Sequence, residues 1–168
     1  MVIPIITIIG KSRAGKTTLI EKLVVELKHR NYRVATIKHH SHPGFDIDVP
    51  GKDSWRFAQA GSDHVIIASP DKIASYRLLD GELSLDEIAA GVSGVDIILV
   101  EGYRQSGKRT LEIARAANSK ELIGNRDQWV ALVSDFPIDA DIPQYDLNDI
   151  VGITNLIEKE FLVSAFGK

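Results

Sequence analysis

Residues 3–17 read Ile-Pro-Ile-Ile-Thr-Ile-Ile-Gly-Lys-Ser-Arg-Ala-Gly-Lys-Thr. The apolar, β-branched run from Ile3 to Ile9 is what a strand buried on both faces requires, as in a parallel sheet. Gly10 to Thr17 then match G-x-x-x-x-G-K-[ST] at every fixed position. From Lys16 to about Arg30 the apolar period changes. Leu19, Ile20, Leu23, Val24 and Leu27 fall on one stripe, with Glu21, Lys22, Glu26 and Lys28 opposite, and Asn31 is a natural stop. Strand, glycine-rich turn and amphipathic helix, in that order, form the context in which this motif holds phosphate. Gly10 and Gly15 allow torsions and close approaches that a Cβ would block. The N–H groups of the loop converge at the positive end of the helix that follows. Lys16 brings a point charge to the β- and γ-phosphates of a nucleotide, and Thr17 offers a hydroxyl to Mg2+.

Outward from this stretch, the pattern alternates. Arg33 to Ile37 reads as a strand, 39–52 as a loop rich in His, Pro and Gly, and Asp53 to Ala60 as a short helix ended by Gly61. His64 to Ala68 and Ile73 to Leu79 form a hairpin around Ser69-Pro70-Asp71. This hairpin departs from simple alternation, and could extend the main sheet or serve as a dimer contact. Ser84 and Glu87 have the spacing of a capping box before Ile88. Val95 to Val100, Leu111 to Ala114 and Trp129 to Val133 are further apolar strands. Asn148 to Phe161 is a closing helix with Ile150, Ile153, Ile157 and Phe161 inward. The fold class is therefore α/β, a mostly parallel sheet flanked by helices with an inserted antiparallel hairpin. Residues 1–168 are expected to form a single nucleotide-binding domain, since the length suits one core.

Composition narrows the function. A net charge of −3 argues against a general nucleic-acid or membrane-surface binder, which would carry a basic excess. With no cysteine there is no disulfide framework, thiolate metal site or cysteine nucleophile. The apolar N-terminus lacks a basic leader region and is too short to span a bilayer, so it reads as a strand, and a cytoplasmic location fits.

The metal of a bound nucleotide needs a second ligand-bearing group from the end of another strand. Val-Asp-Ile-Ile-Leu-Val-Glu-Gly at 95–102 places Glu101 directly after an apolar run, at the edge where parallel sheets bind ligands, while Asp96 lies near the opposite end. Lys16 and Glu101 are thus the catalytic candidates, and Thr17, Glu101 and Asp46 the candidate Mg2+ ligands, Glu101 acting through water. The loop 38–53 is dense in Lys38, His39, His40, His42, Asp46, Asp48, Lys52 and Asp53. It could serve nucleotide or substrate, or hold zinc or nickel through His40, His42 and Asp46, or stay solvated. The usual guanine signature Asn-Lys-x-Asp is absent. Asn125-Arg126-Asp127 matches it only loosely, whereas Asp135 follows a strand and could accept hydrogen bonds from guanine N1 and N2. It could equally cap a turn. A rival reading is a small-molecule kinase with Arg104, Lys108 and Arg109 as a cationic lid.

The phosphate loop together with Thr-Ile-Lys-His-His at 36–40, Phe-Asp-Ile-Asp-Val-Pro-Gly-Lys-Asp-Ser at 45–54, Ala-Gly at 60–61 and Ile-Leu-Val-Glu-Gly-Tyr at 98–103 resembles the molybdopterin-guanine dinucleotide biosynthesis protein B (MobB) family over most of the chain. Ser134-Asp135 and Asp146 to Asp149 are similar to it as well. The resemblance implies a P-loop GTPase that binds GTP with Mg2+, hydrolyses it slowly and forms homodimers. It also implies an accessory role beside a guanylyltransferase partner that attaches GMP to molybdopterin, with molybdopterin itself a further candidate ligand. Carried over, Gly10, Lys11, Ser12, Arg13, Ala14, Gly15, Lys16, Thr17 and Thr18 hold phosphates, and Glu101 matches the second acidic motif. Lys11 stands where some dimeric P-loop ATPases place a lysine that crosses the interface, but Ser12-Arg13 follows it here rather than Gly-Gly. No glutamine is evidently placed to orient an attacking water, in keeping with slow turnover.

Overall fold

The computed structural model describes residues 2–40 and 44–162. They fall into two compact units, one of residues up to His39 with those from Ser84 onward, the other of His40–Leu83.

The first unit is built on six parallel strands: β1 (Ile5–Ile9), β2 (Val34–Lys38), β5 (Ile97–Glu101), β6 (Thr110–Ala114), β7 (Trp129–Ser134) and β8 (Gln144–Tyr145). Their order is β2-β5-β1-β6-β7-β8. β1 lies between β5 and β6, pairing Ile6 with Leu99 and Ile8 with Leu111. It is therefore buried on both faces and at both edges, which accounts for its unbroken apolar sequence. The helix α1 (Lys16–His29) buries Leu19, Ile20, Leu23 and Leu27, the stripe expected from its periodicity, with Val24 only partly buried. Each such side chain contributes about 1.5–3 kcal/mol by leaving water. Asn31 ends the turn with φ 67°, a conformation asparagine tolerates. On the other face, Leu85 of α3 (Leu85–Ala90) packs with Ile98 and Val100. The predicted capping box is formed, Ser84 and Glu87 satisfying each other's backbone N–H.

One expectation is corrected and one element is new. The closing helix does not run unbroken from Asn148 to Phe161. Asp149 caps it through Gly152 N, α4 spans Ile150–Ile157, and a π-helical turn over Glu158–Leu162 follows. The wider turn keeps both Phe161 and Leu162 buried, and Arg30 from the end of α1 locks it by pairing with Glu158. Strand β8 was not foreseen. It is two residues long, too short for any periodic signal.

The second unit holds α2 (Asp53–Gln59) and the antiparallel strands β3 (His64–Ala68) and β4 (Ile73–Arg77). These two strands form a sheet of their own rather than extending the main one. Asp48 accepts a hydrogen bond from Tyr76 and is held below the usual carboxylate range, first by a hydrogen bond from Ser54. This ties the 44–52 segment to both α2 and β4. Much of the unit's apolar surface faces outward: Phe45, Ile47, Val49, Phe57, Ile66, Ile73 and Leu78 are all more than half exposed.

Candidate nucleotide-binding site

Because β1, β2, β5, β6 and β7 run parallel, the segments that leave them share one edge of the sheet. The phosphate loop leaves β1 there. Gly10 has φ 148°, and a Cβ on it would sit 2.3 Å from the Ile113 carbonyl oxygen of β6. The first glycine is thus required by a close approach as well as by its torsion. Arg13 sits at φ 63°, Ala14 turns inward and is buried, and Gly15 at φ 105° delivers the chain to α1. No side chain caps α1 and no acid lies in its first turn, whereas α3 and α4 are capped by Ser84 and Asp149. The first N–H groups of α1 are therefore left without a side-chain cap.

Lys16 folds back over this loop, its Nζ donating to the carbonyls of Gly10 and Lys11 at 2.9 Å each. Burial lowers its pKa; Glu101 opposes that shift and Lys38 adds to it. Thr17 Oγ1 donates to Glu101 Oε2 at 2.8 Å, and Lys38 Nζ lies 3.4 Å from Glu101 Oε1. Three elements distant in sequence, the loop after β1 and the ends of β5 and β2, thus place two ammonium groups, a hydroxyl and one carboxylate around the start of α1. Thr18 is exposed on the first turn. Hydroxyl and carboxylate oxygens are the donors that a hard, oxygen-seeking cation such as Mg2+ takes, so Thr17 and Glu101 fit that ion. Behind Glu101, Gly102 and Tyr103 both take positive φ, and Tyr103 stacks on His39 with ring centroids 4.3 Å apart.

The remaining predicted residues separate. Lys11 pairs with Glu121, and the Ser12 carbonyl accepts from Asn118 Nδ2. Asp135 follows β7 at the shared edge, where one carboxylate oxygen accepts from Ala116 N at 2.7 Å. It therefore does cap a turn, and it also borders a shallow depression of about 440 Å3 that includes Phe136, Tyr145 and Asp146. Asn125 instead caps a 3-10 turn over Arg126–Gln128, which leads into β7 at the opposite end of that strand. Of the proposed kinase lid, Lys108 is paired with Asp86 and Arg109 with Glu160. Asp46 belongs to the second unit, and His42 lies outside the described residues. Among the described residues, no three His, Asp or Glu side chains converge on a common metal position. Sequence reasoning missed Asn118, Glu121 and the buried Glu112. Only Glu112 left a trace, as the one acid inside an otherwise apolar strand.

Comparison with known proteins agrees with this fold. A family model described as molybdopterin guanine dinucleotide synthesis protein B matches residues 5–135. The molybdopterin-guanine dinucleotide biosynthesis adapter protein of Haemophilus influenzae is 37% identical over 158 residues, covering 93% of this chain and 88% of that protein. Its Escherichia coli namesake is 33% identical over 166 residues, covering 92% and 91%. A crystal structure of molybdopterin-guanine biosynthesis protein B superposes with a TM-score of 0.73 at 29% identity, covering 92% of this chain and 98% of that one. The structure of Bacillus subtilis MobB gives 0.74 at 21% identity over 94% and 98%, a likeness of fold alone. With the family model spanning the phosphate loop, Glu101 and Asp135, and with relatives matched over nearly their whole length, the chain belongs to the molybdopterin guanine dinucleotide synthesis protein B (MobB) family.

Proposed function

We propose that this protein is a GTP-binding adapter in molybdopterin-guanine dinucleotide biosynthesis, acting as a cytoplasmic homodimer beside the guanylyltransferase that joins GMP to molybdopterin. The observation that carries the nucleotide part is the convergence of Lys16, Thr17 and Glu101 at an uncapped helix N-terminus. In this reading the loop amides and α1 take the phosphate oxygens. Lys16 exchanges the neutral Gly10 and Lys11 carbonyl acceptors for the anionic β- and γ-phosphate oxygens, so that both partners of the contact are ionised. Thr17 and Glu101 would hold Mg2+, which supplies neutralisation of phosphate charge when bound. Slow hydrolysis fits a site that neutralises phosphate charge through Lys16 but whose sequence places no evident glutamine to orient the attacking water. Asp135 would read guanine N1 and N2 with the oxygen left over from its contact to Ala116, and Phe136 and Tyr145 offer apolar surface for the base. The homodimer finds support in the second unit, where a hairpin with few buried side chains exposes Ile66, Ile73 and Leu78. A two-stranded sheet is marginal by itself and gains from further packing.

Calorimetric titration of GTP and ATP with Mg2+ into the wild type and Asp135→Ala tests this reading. It expects a preference for GTP that the substitution abolishes. A preference for ATP would break the link to guanine dinucleotide synthesis and favour phosphoryl transfer to a small acceptor instead.

A further inference from the structure

Glu112 lies mid-strand in β6, between Leu111 and Ile113, and is completely buried. Nothing in the phosphate site described above uses it. A buried carboxylate is costly unless its lone pairs are met. Here Oε1 accepts from Ile123 N at 2.5 Å, and Oε2 accepts from Gly124 N at 3.0 Å and Trp129 Nε1 at 2.7 Å. An apolar residue would suit the strand equally well, so what the carboxylate adds is the gathering of these three donors.

The gathered chain is the segment 115–125 between β6 and β7. Its far end is fastened by Asp135 through Ala116 N. A turn closed by the Arg115–Ser119 bridge projects from it. From that segment Asn118 Nδ2 donates to the Ser12 carbonyl at 2.9 Å and Glu121 pairs with Lys11, two successive contacts on the phosphate loop. At its near end the backbone is drawn hard onto the carboxylate: a Cβ on Gly124 would fall 2.5 Å from Glu112 Oε2 and 2.7 Å from Ile9 Cδ1. The residue after Glu112, Ile113, is the one whose carbonyl lies under Gly10. One short strand therefore supports the phosphate loop from beneath and, through Glu112, from the side.

We propose that Glu112 is a positioning residue for nucleotide binding: by gathering Ile123, Gly124 and Trp129 it holds segment 115–125 as a brace on Lys11 and Ser12, and so keeps the first half of the phosphate loop in its ligand-ready shape. The proposal rests on reading that loop as a GTP site. Its energetic content is a population. If loss of the brace lowers the ligand-ready fraction to a tenth, the apparent Kd rises about tenfold although no ligand contact is lost.

The test titrates GTP with Mg2+, and separately inorganic tripolyphosphate, into wild type, Glu112→Gln, Asn118→Ala and the double variant. Glutamine keeps the volume but turns an NH2 group toward at least one N–H donor in either orientation. The expected result is a loss of about tenfold for both ligands in Glu112→Gln. Asn118→Ala should lose several-fold, and the double variant much less than the product, because both residues act through one segment. A merely structural role would lower Tm while leaving both Kd values unchanged, or would make the two losses multiply. Either outcome overturns the proposal. Should Glu112→Gln fail to fold, Trp129→Phe takes its place in the same cycle, removing one donor and keeping an aromatic ring. Failure of the wild type to bind GTP or tripolyphosphate would instead sink the GTP reading, and the proposal with it.

Discussion

Replacing Gly10 by alanine tests the phosphate loop at its tightest point. Two costs combine. The residue has φ 148°, and the added Cβ would meet the Ile113 carbonyl oxygen at 2.3 Å and Ile113 Cγ2 at 2.9 Å. Torsional strain of this kind costs about 1–3 kcal/mol. Overpacking against backbone, which cannot rotate away as a side chain can, adds about 1–3 kcal/mol. Against the roughly 5–15 kcal/mol that stabilises a domain, the fold survives but the loop must lift off β6. For a chain of this size the loss corresponds to a fall in Tm of roughly 5–20 °C. Gly15→Ala separates the two costs, since its φ is 105° but its Cβ would find only Ile113 Cδ1 at 3.5 Å. It should lose about 1–3 kcal/mol from torsion alone. Gly107→Ala, at φ 74° with nothing within 4 Å, is the control, expected to lose about 1–2 kcal/mol. Thermal and urea denaturation give the order Gly10, Gly15, Gly107 from worst to mildest, and GTP titration should show lost affinity in the first two only. A Gly10→Ala protein as stable as Gly107→Ala would refute the claim that close approach to Ile113 demands the glycine.

Lys16→Ala should abolish tight GTP binding with no loss of fold, read by titration beside a thermal melt; unchanged affinity would sink the phosphate assignment. Because burial lowers the pKa of Lys16 and a bound polyphosphate raises it, binding should take up a proton at alkaline pH, and affinity should fall as pH climbs toward 10.5. Asp96 accepts from Arg33 Nη2 at 2.9 Å and from Arg33 N at 2.7 Å, and its pKa is held down first by the Arg33 side chain and then by that N–H. A depressed carboxylate pKa gives stability that is complete above the ordinary value, near 4, and is lost as pH falls through the folded value. Asp96→Asn should therefore lower the urea midpoint at pH 7, and its deficit should shrink as the pH is taken below the ordinary carboxylate value; a deficit that stays constant with pH would show that the shape of the contact matters and its charge does not.

The parts of the fold legible in the sequence are those where one physical demand acts on a continuous stretch. A strand paired on both sides needs an unbroken apolar run, and Ile3 to Ile9 supplies it. A helix lying on a sheet needs a stripe, and Leu19 to Leu27 supplies that. Glu101 is legible because an acid directly after Val95 to Val100 can only stand at a strand end. What escapes is set by partners far along the chain. That Lys11 meets Glu121, or that Ile113 underlies Gly10, depends on β6 lying beside β1, and no local pattern encodes strand order. Glu112 interrupts an apolar strand, but nothing local gives its role, since its three donors come from residues 123, 124 and 129. The turn from α4 into a π-helix follows from packing Phe161 and Leu162 together, which an ideal 3.6-residue period does not anticipate.

An adapter that uses nucleotide must convert occupancy of the phosphate loop into a difference felt elsewhere, and a ligand can do so only to the extent that it binds two arrangements unequally. The contacts made by Glu101 are suited to such a difference. The carboxylate is shared between the Thr17 hydroxyl and Lys38, two groups that a metal–phosphate unit would draw upon. Lys38 is the last residue of β2, and His39, next in the chain, donates its backbone N–H to the Glu101 backbone carbonyl at 2.9 Å. His39 also stacks on Tyr103, which is held at positive φ two residues past Glu101. A strained residue is kept in place only by its neighbours, so a change at Glu101 alters the balance that holds Tyr103 and His39. The chain then enters the 40–83 unit directly at His40. The covalent exit to that unit is thus tied to the backbone of Glu101, the residue whose carboxylate would face the nucleotide in the function proposed above. If the protein hydrolyses GTP slowly, as proposed above, turnover would only need to reset that link at the pace of a partner's cycle.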